Sequence, residues 1–488
     1  MKKILTAFSV LLVTGSLFAG GLVTNTNHSA YMVRMLSRQA STGVDAVYYN
    51  PAGLTSLADG FHFSINNQII GQTKTITNNY YFLTEKPTEY IGTVSAPVFP
   101  GVYAVFKTGK LAFSAGFNPV GGGGGAEYAT GLPSFEKQIA NLVPGLRTQL
   151  SPLDQGVIDA TTLDPNFRNV TGYDGTIFFE GSSIYFGYQA NVSYEINDFI
   201  SVALGGRYVT AKNTYQGYVK DVTITASPAA LPGSVAAPFS GTPGNYLRAI
   251  AQTPYGASQA TSLNTSAAAL DVMTNIEADV VEEGSGFTPI VSVNITPNDM
   301  FNISLKYEFK TTLDLTTSVI DGKDGGGMFE DGATKVADMP AVLSAGVGVR
   351  PTGKLYIAAG MNYYFDKNND YDGSRDLEVE MIDKNFFEYS VGVEYALTKM
   401  IKLSAGYSGT QTGVNDKYQS DLRYSLNTST FGGGIGLTLS PMIDINLGGM
   451  YTMYQDGSKS TPVINLPDIT ETYDTKTWVI GLGVDLHF

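Results

Sequence analysis

The chain of 488 residues carries 30 Lys and Arg against 44 Asp and Glu, which gives a formal net charge of −14 at pH 7. Charged residues make up only 15% of the chain, below the roughly 25% of ordinary soluble proteins. The acidic balance argues against nucleic-acid binding, which needs a basic surface. The complete absence of Cys excludes disulfides, thiolate metal sites, nucleophilic thiols and a lipidated N-terminal Cys.

The first nineteen residues have the layout of a secretory signal peptide. Lys2 and Lys3 precede an apolar stretch over residues 4–12, and small residues follow around Ala19. This stretch is too short to remain as a membrane span. We therefore predict that residues 1–19 are removed on export.

Beyond residue 19 the chain alternates between apolar and small or polar residues in segments of about ten. In the last segment, Trp478, Ile480 and Leu482 alternate with Val479, Gly481 and Gly483. Fourteen such candidate strands occur, beginning near Phe61, Glu89, Lys110, Thr176, Asp198, Ile276, Asp299, Met339, Gly353, Asn385, Met400, Asn427, Met442 and Asp474.

The connections between these strands alternate strictly between tight turns and long excursions. An even number of strands with short turns at one rim is typical of outer-membrane barrels, whose short turns face the periplasm. No run of 18 apolar residues follows the signal peptide, so a membrane protein of this sequence has to be a barrel. We predict an all-β fold, a transmembrane antiparallel β-barrel of about 14 strands over residues 61–488.

Two excursions are long enough to carry function, residues 119–175 and 225–275. In the first, Ser134 is predicted to cap a short helix that ends at Pro144. One face of this helix carries Phe135, Ile139, Leu142 and Val143. Two interpretations stay open, a hydrophobic landing site for a ligand and simple packing over the barrel rim. In the second excursion, weaker helices are predicted over Tyr246–Gln252 and Ser266–Val281.

About forty residues, 20–60, lie between the signal peptide and the first strand. They are too polar for lipid and too many for a lead-in. A barrel of fourteen strands has a lumen that its own side chains do not fill. We predict that this segment is a plug inside the barrel.

The segment Asp45–Leu54 contains the tripeptide Asn50-Pro51-Ala52 just before the first strand. It resembles the hatch segment of outer-membrane long-chain fatty acid transporters of the FadL type, and the resemblance covers the whole mature chain. It implies a fourteen-stranded barrel, a hatch of about forty residues and a long third outer loop with helices. It also implies that ligand lands among outer loops, moves to a pocket in the barrel and leaves sideways at a kink in the third strand.

The matching strand contains Gly116-Phe117-Asn118-Pro119, followed by glycines at positions 121–125. Pro cannot donate to a strand ladder and Gly weakens it. These residues are therefore predicted to break strand pairing and, through the resemblance, to form a lateral gate. The alternative is that they end the strand and begin a loop.

A fatty-acid carboxylate in an apolar pocket needs a cation, because an unpaired buried charge is costly. Alternation places Arg207, Lys306 and Lys310 toward the lumen and Lys212 on the opposite face. We nominate Arg207 and Lys306 as carboxylate partners. The competing interpretation is that lumen cations pair with Glu or Asp of neighbouring strands.

Catalysis is not expected, since the only histidines, His28, His62 and His487, are scattered without an acidic or Ser partner at a recognisable spacing. The glycine run lacks the Lys-Ser or Lys-Thr of a phosphate loop. The acidic residues 366–372 are interpreted as solvated loop charge rather than a cation site. No cofactor, metal or catalytic residue is predicted.

The sequence therefore predicts a monomeric passive transporter for a hydrophobic small molecule such as a fatty acid. It would sit in outer-membrane lipid beside lipopolysaccharide. A general porin and a surface adhesin remain as alternatives. A porin would lack the plug, and an adhesin would act through its loops.

Overall fold

The computed structural model describes residues 22–83, 88–230, 235, 238–371, 373, 379–463 and 466–488. The predicted signal peptide, residues 1–19, lies outside the described residues. The described strand segments form a single antiparallel sheet, and its first and last members pair with each other. The sheet therefore closes into a barrel.

The strand segments are numbered in chain order. They are β1 Gly60–Asn78, β2 Thr88–Thr108, β3 Leu111–Tyr128, β4 Val170–Asn197, β5 Ile200–Ala226, β6 Phe239–Gly241, β7 Ile276–Asn298, β8 Phe301–Glu308, β9 Asp314–Asp324, β10 Thr334–Val336, β11 Val342–Thr352, β12 Leu355–Tyr364, β13 Phe387–Ala396, β14 Ile401–Gln411, β15 Thr428–Ser440, β16 Ile443–Tyr454, β17 Gly457–Val463 and β18 Leu466–His487.

These segments make fourteen barrel strands in the described part of the chain. β8 and β9 follow one another along β7, β10 and β11 continue along them, and β16 and β17 share β18. The short β6 adds only to the end of β5. The predicted fourteen-stranded antiparallel barrel is confirmed.

The two faces of the barrel wall differ in polarity as the alternation predicts. On β18, Ile480 is 49% exposed on the outside while the adjacent Val479 is 1% exposed on the inside. The same outward apolar face recurs on β1, β4, β8, β13 and β16 near the short turns. An apolar outer belt beside one rim is typical of barrels that face lipid. We call this end the short-turn rim and the opposite end the long-loop rim.

The described helices are α1 Ala30–Met35, α2 Ala46–Tyr49, α3 Pro133–Ala140, α4 Leu142–Thr161, α5 Pro243–Ala251 and α6 Ala260–Met273, with 3₁₀ turns at Pro51–Ser56, Ala257–Gln259 and Asp366–Asn368. No helix within the described ranges is long and apolar enough to cross a membrane.

Two of the predicted loop helices have the wrong bounds. The first loop helix begins at Pro133 rather than at a Ser134 cap, and Pro144 lies inside the first turn of α4, where its missing N–H removes no helical hydrogen bond. The helix predicted over Ser266–Val281 ends at Met273, because residues 276–281 pair with β5 and join the sheet.

The long connections begin later than the predicted 119–175 and 225–275. β3 continues through the glycine run to Tyr128 by pairing with β4, so the β3–β4 connection spans residues 129–169. The β5–β7 connection spans residues 227–275. β4 and β5, with 28 and 27 residues, run far past the 9–11 residues that cross a membrane. Their ends form a tall wall beneath the loop helices.

Residues 22–59, called the N-terminal segment below, lie inside the barrel. Ala30, Val33, Met35 and Val47 have no exposed surface. α1 contacts β1, β13, β14, β15, β16 and β18, while α2 and the turn at Pro51–Ser56 contact β2 to β5 and β7. The segment therefore touches the wall on opposite sides of the lumen.

Candidate functional site

The barrel wall accommodates the N-terminal segment through glycines whose missing side chains leave space for its backbone. A Cβ atom built on Gly392 would lie 2.2 Å from the Met35 carbonyl oxygen, and one on Gly406 would lie 2.0 Å from the same atom. Across the lumen, a Cβ on Gly101 would lie 2.4 Å from the His28 carbonyl oxygen. Contacts this short are forbidden to real side chains, so only Gly fits at these positions.

A buried ion pair holds the N-terminal segment together internally. Arg38 donates to Asp45 through Nη2 at 2.6 Å and through Nε at 2.9 Å, and the hydroxyls of Ser29 and Ser41 donate to the same carboxylate. Burial alone would raise the pKa of Asp45, but Arg38 and these hydroxyls hold the pKa below its ordinary value. The carboxylate is thus fully paired away from water.

The predicted hatch motif anchors the segment to the wall at β4, β5 and β7. The Asn50 amide donates to Asn294 at 2.8 Å, and the Ala52 N–H donates to the Ser292 hydroxyl at 2.9 Å. Ser193 donates to the Pro51 carbonyl oxygen at 2.7 Å. Each residue of Asn50-Pro51-Ala52 therefore bonds a polar side chain of the inner wall.

The ladder between β2 and β3 is interrupted. Val102 pairs with Phe117 and Thr93 pairs with Glu127. Between these two points, residues 94–101 of β2 do not pair with residues 118–126 of β3. β3 keeps its other neighbour over this stretch, since Asn118 pairs with Gly187 on β4. In the described wall, this gap in backbone pairing includes Asn118 and Pro119 of the predicted gate, whereas Gly116 and Phe117 remain paired with β2.

The N-terminal segment takes the place of β2 beside this part of β3. Thr24 forms an antiparallel bridge with Gly121, the Asn25 N–H donates to Val120 at 2.9 Å, and the Gly122 N–H donates to Val23 at 3.0 Å. A Cβ on Gly121 would lie 2.4 Å from the Val23 carbonyl oxygen. The glycine lets the segment approach closely enough to pair.

The local sequence explains why β3 bends at this point. β3 carries extra residues relative to β4 between Pro119 and Gly121 and again between Gly121 and Gly124. Gly122 has φ +91, a conformation that other residues rarely adopt. These two bulges bend the strand away from β2. The interpretation that residues 116–119 merely end the strand is wrong.

Asn118 is fully buried at the bend. Within the described part of the chain, neither its amide nitrogen nor its amide oxygen has a hydrogen-bond partner. An unsatisfied buried polar group costs about 1–3 kcal/mol. The burial of this amide without a partner is therefore unfavourable.

A small cavity lies between the bend and the N-terminal segment. Val120 of β3 and Tyr48 of α2 line it together with both nominated cations, Arg207 and Lys306. Its volume of about 20 Å³ holds roughly one water molecule. In this arrangement the cavity is too small for a ligand larger than water.

Both nominated cations are already paired with Glu308, a residue that the sequence analysis did not single out. Arg207 Nη1 lies 2.7 Å from Glu308 Oε2, and Lys306 Nζ lies 2.6 Å from Oε1. Both cations also face the Tyr48 ring, at 4.8 and 4.4 Å from its centroid. The triad keeps one net positive charge. Lys212 lies exposed on the outside, as predicted.

The predicted loop residues Phe135, Ile139, Leu142 and Val143 all pack inward. Ile139 is 3% exposed in a cluster that also includes Leu142, and Val143 is buried against the second loop region. The Phe135 ring lies 5.5 Å from that of Phe179 on β4. This geometry favours packing over the rim, and the landing site stays a prediction.

The histidines are not all scattered, contrary to the prediction. Closure of the barrel pairs β1 with β18, and this brings His62 Nδ1 within 2.8 Å of His487 Nδ1. His487 Nε2 also lies 3.4 Å from Asp444. Their meeting follows from the rule that the first and last strands of a barrel are neighbours, which the sequence analysis did not apply.

No protein-family model and no curated protein matches this chain, but solved structures do. A Pseudomonas aeruginosa FadL homologue is 13% identical, with 96% of this chain and 100% of that chain covered and a TM-score of 0.58. A structure of the Pseudomonas putida toluene transporter TodX is 14% identical, with 96% and 100% covered and a TM-score of 0.56. A second TodX structure is 16% identical, with 93% and 98% covered and a TM-score of 0.54. This chain therefore has the FadL-type fold, as its sequence predicts.

Proposed function

We propose that this chain is an outer-membrane transporter that lets hydrophobic small molecules, long-chain fatty acids first, diffuse inward. The observation that carries the proposal is the gap between residues 94–101 and 118–126, beside a cavity lined by Val120. A wall opening into lipid suits a molecule that is insoluble in water. No enzymatic activity is part of the proposal.

In the proposed route, the ligand is captured among the long loops, passes to the cavity beside Arg207 and Lys306, and leaves sideways between β2 and β3. Residues 20–60 act as the hatch that moves to let it through, with residues 1–19 removed on export. Support comes from the Thr24–Gly121 bridge, since its two backbone hydrogen bonds at the bend can open without unfolding any strand. The buried Asn118 amide favours such a rearrangement.

A general porin is the first alternative. The N-terminal segment opposes it, because α1 contacts six barrel strands and fills lumen that would otherwise form a wide aqueous channel. A surface adhesin is the second alternative. It would use the loop helices and would be indifferent to changes at the bend.

The carboxylate preference rests on the net positive charge of the triad Arg207, Lys306 and Glu308. The alternative ligand class is uncharged aromatic hydrocarbons, suggested by the similarity to the toluene transporter TodX. We propose that the protein acts as a monomer, surrounded by outer-membrane lipid and lipopolysaccharide. Oleate and toluene uptake, measured on the same cells, separates the two ligand classes.

The decisive experiment straightens β3. Deleting Val120 and Gly122 removes the two extra residues that β3 carries relative to β4. The matched control deletes Gly325 and Gly326, two glycines of the outer turn after β9. Both variants are first checked for folded barrels by thermal unfolding in detergent.

We expect the β3 deletion to reduce oleate and toluene uptake at least tenfold and the control deletion to leave both unchanged. Normal uptake by the folded β3 variant would contradict lateral exit. Passage of small sugars through the wild-type protein, without uptake of either hydrophobic ligand, would instead favour a porin. Normal adhesion with no uptake of any solute would favour the adhesin.

A further inference from the structure

Lys74 is a buried cation in the long-loop half of the lumen. It lies on the inner face of β1, between Gly92 of β2 and Thr475 of β18, and is only 8% exposed. Its ammonium lies 5.7 Å from the centre of the Tyr424 ring. No carboxylate of the described chain forms an ion pair with it, and no described group hydrogen-bonds its ammonium.

Most other buried cations of the described chain pair with a carboxylate, which Lys74 does not. Five of them, Arg34, Arg38, Lys107, Arg207 and Lys306, form ion pairs. Arg423 donates to the Met381 sulfur and stands 4.4 Å from the centre of the Tyr418 ring. An uncompensated buried charge is costly, so an anion from outside the described chain would stabilise the cation at position 74.

The surroundings of Lys74 are aromatic and apolar. Tyr424 stacks on Tyr473 at 4.8 Å between ring centres, and its hydroxyl bonds Thr475 at 3.0 Å. A Cβ atom on Gly92 would lie 2.3 Å from the Tyr128 ring, so this ring covers the strand beside Lys74. A single positive charge within such a surface fits a molecule with one anionic group and an apolar body.

We propose that Lys74 is a binding site for the carboxylate of a hydrophobic anion, entered from the long-loop rim before the ligand reaches Arg207 and Lys306. The Lys74 site differs from that pair because its charge is not shared with a Glu. This inference rests on the proposed transport function and names the charged end of the ligand.

The apolar cluster around Lys74 continues toward the gap in the wall. It contains Val94 and Phe99 of β2 together with Val33 and Leu36 of the N-terminal segment. Residues 94 and 99 both lie on the stretch of β2 that lacks β3 as a partner. From Gly92 to Phe99 the strand covers about 20 Å, enough for an extended acyl tail to reach the gap while its carboxylate contacts Lys74.

The test compares an acid with its uncharged analogue of equal chain length. Binding of oleate and of oleyl alcohol is measured on purified protein in a nonionic detergent, for the wild type, Lys74→Met and Lys74→Arg. Met keeps the length and apolar stem of Lys without its charge. Lys212→Met, at an exposed cation paired with Glu283 on the outer surface, is the matched control.

We expect Lys74→Met to weaken oleate binding about tenfold or more, because a charge-assisted hydrogen bond is lost. Oleyl alcohol binding should stay within twofold, Lys74→Arg should retain oleate binding, and Lys212→Met should change neither ligand. Lys74→Met should fold, because it removes an unpaired buried charge, and thermal unfolding checks this.

Two outcomes overturn the inference while sparing the transport function. These are unchanged oleate binding by folded Lys74→Met, or an equal loss of oleate and oleyl alcohol, which would indicate altered packing. A wild-type protein that binds neither ligand would instead contradict the proposed function itself. The two failures are therefore distinguishable.

Discussion

Thr24 and Gly121 form a backbone bridge that joins the N-terminal segment to the bend of β3. β3 thus has β4 on one side and residues 23–25 on the other over the stretch where β2 is absent. Movement of the N-terminal segment and access to the gap are consequently linked through one set of contacts. Variants that displace the segment should change permeability even when they lie far from the bend.

Gly392→Ala should displace α1 from the wall. The added Cβ would lie 2.2 Å from the Met35 carbonyl oxygen, and overpacking of this kind costs about 1–3 kcal/mol. We expect greater leakage of small hydrophilic solutes into liposomes that contain the variant. Gly145→Ala on α4 is the control, because its added Cβ would have no atom within 4 Å. Equal leakage from both variants would contradict the conclusion that Gly392 leaves space for the Met35 carbonyl oxygen.

Arg38→Met should loosen the N-terminal segment more than the double variant Arg38→Met with Asp45→Asn. The single change leaves the Asp45 carboxylate buried without its cation, at a cost of about 3–5 kcal/mol, whereas the double change removes both charges. Cleavage of the segment by an added protease measures the difference. Similar cleavage of the two variants would show that the ion pair does not hold the segment.

The same pair predicts a pH dependence. The pKa of Asp45 is held below its ordinary value of 3.8, so its stabilisation is present above that pH and is lost as the pH falls below it. The contribution of Asp45 to the protection of the segment from protease should therefore be constant from pH 8 to pH 5 in the wild type. A loss of protection within that range would require a different titrating group.

The contact between Asp421 and the start of α3 should contribute less to the stability of α3 as the pH rises. Its carboxylate accepts the Ser134 N–H at 2.6 Å, and burial together with the nearby Glu471 raises the pKa of Asp421 to about 6. A raised acid pKa means that the contribution to stability is present at low pH and is lost as the pH rises through about 6. Lys137, which pairs with Glu471, reduces this repulsion without removing it.

Amide hydrogen exchange of α3 measures how stable this helix is at each pH. Protection corrected for intrinsic rates should fall between pH 5 and pH 7.5 in the wild type and stay level in Asp421→Asn, whose amide oxygen can still accept from Ser134. Asp456→Asn, at an exposed loop position, should behave as the wild type. A pH dependence that survives in Asp421→Asn would assign the effect to another group.

Arg207→Gln should discriminate between charged and uncharged ligands. It leaves Glu308 paired with Lys306 alone, so the cavity loses its net positive charge. We expect oleate uptake to fall about tenfold, the equivalent of about 1.4 kcal/mol, while toluene uptake stays unchanged. Unchanged oleate uptake would remove Arg207 as a carboxylate partner.

The sequence predicts the fold well because alternate residues of each strand face opposite sides of the barrel wall. Trp478 to Phe488 illustrates this, with apolar residues outward and small or polar residues inward. The bend is also predictable, since Pro119 and the glycines that follow weaken strand pairing. These features depend only on residues that are neighbours in the chain.

The rest depends on which strands meet and in what register. Glu308 pairs with Arg207 across 101 positions; alternation places Glu308 on the inner face with Lys306, but no local pattern shows that it lies beside Arg207. The need for glycine at position 392 is similarly evident only once the Met35 carbonyl oxygen is known to lie against it. The sequence shows that the inner wall has a face of small residues. It does not show which segment packs against that face.

The pairing of His62 with His487 has a consequence for biogenesis. The seam that these residues mark joins the start of β1 to the end of β18, so it forms only when both of these strands are in place. Residues 22–59 precede β1 yet end up enclosed by the completed cylinder. Because residue 59 leads directly into β1, the enclosed segment and the closing seam are joined through the backbone, so a shift of one pulls on the other.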